Sequence, residues 1–145
     1  DLPSMLNYKE LADSKSLLNT PPTFAVYMVK LVTDWLINDI GGLEKMHRIN
    51  QEKAALLYEA IDQCSGFYEG HADTASRSLM NVTFRLPTPE LESQFVKGAA
   101  SRGLVELKGH RSVGGCRAST YNAMPVDGVQ ALRDFMLEFS EANGR

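Results

Sequence analysis

Leu79-Met80-Asn81-Val82-Thr83-Phe84-Arg85-Leu86 is followed almost at once by Thr88-Pro89-Glu90. In the first stretch apolar Met80, Val82 and Phe84 alternate with Asn81, Thr83 and Arg85, the two-residue period of a strand buried on one side. The second reads as a helix start, with proline in the first turn. Leu91, Phe95, Val96, Ala99 and Ala100 then recur on one helical face, and Gly103 stands where a left-handed residue ends a helix. A half-buried strand running into an amphipathic helix predicts an α+β layer, with helices covering one face of a small sheet.

Working outward, Leu104–Leu107 and Cys116–Thr120 read as short strands, and Pro125 opens a last helix. Val126, Val129, Leu132, Phe135, Met136 and Phe139 face inward on that helix, and Gly144 lies at its end. On the N-terminal side, residues 71–78 are polar and read as a loop, with a strand expected near 66–69. Leu43, Met46, Ile49, Ala54, Leu57, Ala60 and Ile61 mark an amphipathic helix, with Lys45, Arg48, Glu52, Lys53 and Glu59 on the rest of its circumference. Between Phe24 and Ile40 apolar residues fall on almost every face, up to Gly41-Gly42. A helix apolar all round is buried on several sides, so this one is expected to connect two domains or to lie in a subunit interface. Thr20 is expected to cap it, with Pro21-Pro22 in its first turn. Residues 1–21, with Pro3, Asn7, Asp13, Ser14, Asn19 and Pro21, read as a loop or connecting strip.

The chain has 145 residues, 43% hydrophobic and 23% charged. That suits one globular domain, or one domain with a strip of a neighbour, and excludes disorder as the dominant state. The longest apolar run, Phe24 to Val29, falls far short of the roughly 20 residues of a membrane span, so no membrane partner is expected. A net charge of −3 argues against nucleic acid held by bulk charge. Cys64 and Cys116 form no CxxC pattern and no histidine sits at ligand spacing, so no metal site is expected. Two reduced thiols and the lack of a signal-peptide pattern imply a cytoplasmic protein. The chain begins at Asp1 rather than Met, as a cleaved or truncated product would.

One segment departs from this acidic balance. Between Glu106 and Asp127 there is no acid, while Lys108, His110, Arg111 and Arg117 all occur there. Gly109, Gly114 and Gly115 permit tight turns and close backbone approach. Arginine adds a planar fork that grips a carboxylate or phosphate through two parallel hydrogen bonds. An anion site is the sharper reading, and a solvated basic loop the competing one. His47, on the amphipathic helix, and His71, in the polar loop, read as surface residues. No Ser–His–Asp signature, P-loop or Gly-x-Gly-x-x-Gly is present.

Several ordered strings resemble the C-terminal region of the phosphoserine aminotransferase family. They are Pro3-Ser4-Met5-Leu6-Asn7-Tyr8, Asn19-Thr20-Pro21-Pro22-Thr23-Phe24, Arg77-Ser78-Leu79-Met80-Asn81-Val82, Lys108-Gly109-His110-Arg111-Ser112-Val113-Gly114-Gly115-Cys116-Arg117-Ala118-Ser119 and Tyr121-Asn122-Ala123-Met124-Pro125. The resemblance covers nearly the whole chain. It implies a class V, fold type I enzyme that uses pyridoxal phosphate and works as a homodimer. Amino transfer between glutamate and 3-phosphohydroxypyruvate, a phosphorylated keto acid, is the implied reaction, giving phosphoserine and 2-oxoglutarate in serine biosynthesis, with a related role in pyridoxine synthesis. It further implies that Asn19 and Thr20 bind the cofactor phosphate across the dimer interface, that Arg117 holds the substrate α-carboxylate, and that His110 and Arg111 lie near the substrate phosphate. Residues 1–21 would be a strip of the large cofactor domain. Residues 22–145 would be the small C-terminal domain, with helices on one face of a small, mostly antiparallel sheet. The family's Schiff-base lysine lies upstream of the Asn-Thr-Pro-Pro motif, and Lys9, Lys15 and Lys108 do not match it. No catalytic residue is therefore expected in this chain, which alone should be inactive. A free-standing α+β anion-binding or regulatory module is the alternative. A third reading is an interaction protein that uses the apolar helix as a seam.

Overall fold

A computed structural model describes residues 2–64 and 66–144. The chain divides into two compact units, Asp1–Leu43 and Glu44–Arg145.

In the first unit a single 3-10 turn, Ser4–Leu6, precedes helix α1, Tyr8–Asp13. The sequence pattern gives only a loop here, and the difference has a local cause. Asn7 caps α1: its Oδ1 accepts from the Lys9 N–H at 3.1 Å, and its Nδ2 donates to Glu10 Oε1 at 3.1 Å. Asn7 and Glu10 have the spacing of a capping box, but Glu10 here accepts from the Asn7 side-chain amide rather than from its backbone N–H. Helix α2, Thr23–Trp35, passes into a single π-helical turn, Leu36–Ile40, that Gly41 ends at φ +90°. Thr20 does not cap α2. Both prolines precede the helix, the cap position is Pro22, and no side chain accepts from the first turn. No residue of α2 is buried.

The second unit holds α3 (Leu43–Gln63, whose first residue closes the preceding unit), β1 (Glu69–Gly70), a 3-10 turn at Thr74–Ser76, β2 (Asn81–Arg85), α4 (Pro89–Ser101), β3 (Cys116–Ser119) and α5 (Val126–Asn143). The sheet is antiparallel in the order β1-β2-β3, with Asn81 opposite Ser119 and Phe84 opposite Cys116. The expected α+β architecture is thus present. Val82, Phe84, Cys116 and Ala118 point into a core filled by α3, α4 and α5. Phe95 is fully buried at its centre, with its ring centroid 5.0–6.1 Å from those of Tyr68, Phe84, Phe135 and Phe139. Tyr68 satisfies its buried hydroxyl by donating to Met136 O at 2.8 Å, and burial pushes its pKa up.

Thr88 caps α4, its Oγ1 accepting from Leu91 N–H at 3.3 Å. At the other end Gly103 is left-handed; Leu104 N–H reaches Ala99 O and Gly103 N–H reaches Ala100 O, a Schellman stop. The strand expected at Leu104–Leu107 does not form. Glu106 takes a positive φ of 60°, which breaks the extended run, and among the described residues pairing there is limited to the Lys108–Cys116 bridge and the Arg117 N–H donated to Leu107 O. The strand near 66–69 is reduced to Glu69–Gly70.

Lys53 also departs from the sequence pattern. The helical wheel leaves it on the polar side of α3, yet it is fully buried. Its Nζ donates to Tyr121 O at 2.8 Å and Met124 O at 3.1 Å, and burial lowers its pKa. Asn50, one turn earlier, donates to Asn122 Oδ1 at 2.8 Å. Together they tie the turn between β3 and α5 to α3. On the same helix Asp62 receives both terminal nitrogens of Arg77, at 2.6 and 2.7 Å, and the guanidinium lies over the Tyr58 ring. This pair holds the Asp62 carboxyl below its ordinary range.

Candidate functional site

The period that sends Val82, Phe84, Cys116 and Ala118 inward places Asn81, Thr83, Arg85, Arg117 and Ser119 on the opposite face of the sheet. Arg117 lies directly across from Thr83, and its N–H donates to Leu107 O at 2.8 Å. No carboxylate pairs with Arg117 among the described residues, and its Nε is buried without a partner. A buried guanidinium nitrogen without an acceptor is costly unless something arrives to accept from it.

Beside it the chain turns sharply from Gly109 to Gly115. Gly109 N–H donates to Gly115 O at 2.8 Å, and both Val113 and Gly114 N–H reach His110 O. A side chain at Gly109 would place its Cβ 2.0 Å from Gly114 O, so only glycine closes this loop. His110 Nδ1 lies 2.7 Å from Ser112 Oγ and also accepts from Ser112 N–H at 3.3 Å. With the Ser112 N–H directed at Nδ1, the tautomer that accepts there carries its proton on Nε2 and offers that N–H to a ligand.

A hollow of about 180 Å³ brings these groups together, lined by His71, Thr83, Arg85, His110, Val113 and Arg117 among others. Arg111 is not in it. It lies with Lys97 and Lys108 on a neighbouring hollow beside α4, and His110 borders both. The structure thus unites Arg117 with His110 and leaves Arg111 one wall away. Cys116 borders the first hollow, but its side chain belongs to the core on the other face of the sheet, where burial pushes the thiol pKa up to about 12, so it stays protonated. His47 is exposed on α3, as expected from the sequence. His71 and Arg85 did not stand out as site residues in the sequence. Arg85 was legible as the third outward residue of Asn81-Thr83-Arg85. His71 was not: among the described residues it joins the sheet through its N–H to Thr83 O at 3.4 Å.

Asn19 and Thr20 lie in the other unit, exposed just before α2. The Asn19 amide donates only to the Met5 thioether sulfur at 2.9 Å, a weak acceptor, and the Thr20 hydroxyl has no hydrogen bond among the described residues. An amide and a hydroxyl so little engaged fit a phosphate group.

Residues 1–132 match the family model described as aminotransferase class V. The chain is 63% identical over 143 residues to the phosphoserine aminotransferase of Desulfosudis oleivorans, covering 99% of this chain and 39% of that protein. It is 57% identical over 138 residues to that of Geobacillus kaustophilus, covering 95% and 38%. Among solved structures, phosphoserine aminotransferase from Bacillus circulans subsp. alkalophilus superposes with a TM-score of 0.89 at 52% identity, over 99% of this chain and 39% of that one. The pyridoxal-phosphate-bound enzyme from Trichomonas vaginalis gives 0.81 at 38% identity, over 93% and 38%. The chain therefore spans about two fifths of the length of these relatives. With a class V model matched along most of its length and strong identity to phosphoserine aminotransferases, this chain belongs to the class V aminotransferase family.

Proposed function

We propose that the chain is the C-terminal part of a phosphoserine aminotransferase, and that the sheet face bearing Arg117 is its substrate-binding wall. The carrying observation is the unpartnered Nε of Arg117 beside His110 in one hollow. In this reading residues 1–21 belong to the margin of the large cofactor domain. Residues 22–145 form the small domain, with α2 as the connection. The complete enzyme is a cytoplasmic homodimer that exchanges an amino group between glutamate and 3-phosphohydroxypyruvate, in serine and pyridoxine biosynthesis.

Each residue has a role its chemistry suits. Arg117 holds the substrate α-carboxylate through its planar fork. His110 and Arg111 meet the distal phosphate: the imidazole offers an Nε2–H, and Arg111 adds charge from the adjoining hollow. Asn19 and Thr20 hold the phosphate of pyridoxal phosphate across the dimer interface. That cofactor, when bound, supplies the electron sink for moving the amino group. The lysine that carries the cofactor lies on the large domain, outside this chain. This chain's residues therefore bind and orient, and alone it is inactive.

The test uses the full-length enzyme. Arg117→Ala should lower kcat/KM for phosphoserine and glutamate alike by roughly 10²–10³-fold, as expected when a desolvated charge pair loses one member. Wild-type kinetics in that variant would end the assignment. Incubating this chain with pyridoxal phosphate, glutamate and the keto acid should give no turnover.

A further inference from the structure

The loop that carries His110 and Arg111 is closed on itself at its base, by Gly109 to Gly115 and by the bridge of Lys108 to Cys116. Its tip is a different matter. Val113 and Gly114 N–H turn back onto His110 O, and Ser112 bonds only to His110. Among the described residues a single hydrogen bond joins positions 110–114 to the rest of the fold: Arg85 Nη2 donates to Val113 O.

Arg85 ends β2 and faces outward with Thr83, on the same wall as Arg117. Glu69 lies opposite it in the β1–β2 pairing, yet no ion pair forms between them among the described residues. The guanidinium is committed to the loop instead, and the glycines make room for it. A Cβ on Gly114 would come within 2.7 Å of Arg85 Nη2, and one on Gly115 within 3.1 Å of Arg85 Cγ and 2.8 Å of Phe84 O. Both glycines have positive φ, 78° and 70°. The Gly114-Gly115 pair is therefore a seat for the arginine as well as a turn.

We propose that Arg85 is a positioning residue for the distal-anion site: it latches the loop tip so that His110 and Arg111 are presented to the substrate phosphate. The bond does two things. It spares the loop tip the entropy of being ordered each time substrate binds. It also covers the negative end of the Val113 carbonyl dipole on a wall that must receive an anion. This rests on the proposed assignment of His110 and Arg111 to the substrate phosphate.

The experiment is done on the full-length enzyme charged with its cofactor. Single-turnover kcat/KM is measured for O-phospho-L-serine and for L-serine, which differ only in the distal phosphate. Arg85→Met should lower kcat/KM for phosphoserine at least tenfold, chiefly through KM, while L-serine changes less than twofold. Arg85→Lys should recover part of the loss, because an ammonium still donates to Val113 O. His110→Gln, run in parallel, should show the same preference for losing phosphoserine. If His110→Gln is selective and Arg85→Met stays within twofold of wild type on phosphoserine, Arg85 is no latch and the proposal fails while the site assignment stands. An equal fall on both substrates in Arg85→Met shows no selectivity for the distal phosphate and also overturns it. If His110→Gln shows no selectivity, the underlying assignment falls and takes the latch with it.

Discussion

Helix α3 sends Met46, Ala54, Leu57, Ala60 and Ile61 into the core, while α2, with Phe24, Val26, Tyr27, Met28, Val29, Leu31 and Val32 in a thirteen-residue helix, buries none of its residues. Phe24 is 76% exposed and Leu57 is fully buried. Apolar content therefore does not decide burial; arrangement does. On α3 the apolar residues share one stripe, so a single docking event against the sheet covers them all. On α2 they circle the axis, and no one neighbour can cover every side. A helix of that kind, left bare by the described residues, carries the exposed apolar surface on which association is expected.

The comparison can be tested hardest in the second unit's core. Phe95→Ala removes a fully buried ring from a cluster that includes Phe84, Phe135 and Phe139. The expected cost is about 3–5 kcal/mol, the range for a buried aromatic truncated to alanine. Urea unfolding of this chain, followed by fluorescence and far-UV circular dichroism, would measure it. A loss below about 1 kcal/mol would mean the aromatic cluster is not the stabilising centre of the unit.

Lys53→Met comes next and probes the polar exception on α3. Tyr121 O and Met124 O would lose their donor in a buried place, at a cost of about 1–3 kcal/mol. The pH dependence has a definite sign. Burial lowers the native pKa of Lys53 from the ordinary 10.5, so between the lowered value and 10.5 the unfolded chain binds more protons than the folded one. Stability from this group therefore rises with pH across that window. Two N–H groups remain on a neutral amine, one for each carbonyl. The gap between wild type and Lys53→Met should widen as pH climbs toward 10.5. A gap that narrows would show that the two carbonyls require the charged form.

Much of this was legible in the sequence because periodicity and punctuation agreed. Asn81-Val82-Thr83-Phe84-Arg85 alternates without exception, Thr88-Pro89 marks a helix start, and Gly103 is the left-handed stop of α4. Two of the failures share a physical form: a side chain made a bond that its residue type does not announce. Asn7 read as a turn former, but its side chain accepts the Lys9 N–H and caps α1. Lys53 read as surface, but two carbonyls from a turn about seventy residues on took its ammonium inside. Glu106 adopts a positive φ that no strand pattern foretells, so Leu104–Leu107 forms no strand. In the candidate site the cationic window disclosed Arg117 and His110 through charge and glycine. His71 entered the hollow by tertiary pairing alone and left no local signal.

The smallest expected effect is the most telling for α2. Phe24→Ala removes as much ring as Phe95→Ala, yet its side chain has little burial to lose in this chain. Alanine is also the better helix former by about half a kcal/mol, which offsets part of whatever packing the ring gives up at the helix start. Urea unfolding should therefore shift by no more than about 0.5 kcal/mol in either direction, as for other surface substitutions. Association should respond where stability does not. An uncovered apolar helix draws copies of the chain together, so light scattering should show concentration-dependent growth in wild type and less of it in Phe24→Ala. A cost near that of Phe95→Ala, or a monomer at every concentration, would place α2 under cover within the chain and erase the contrast with α3.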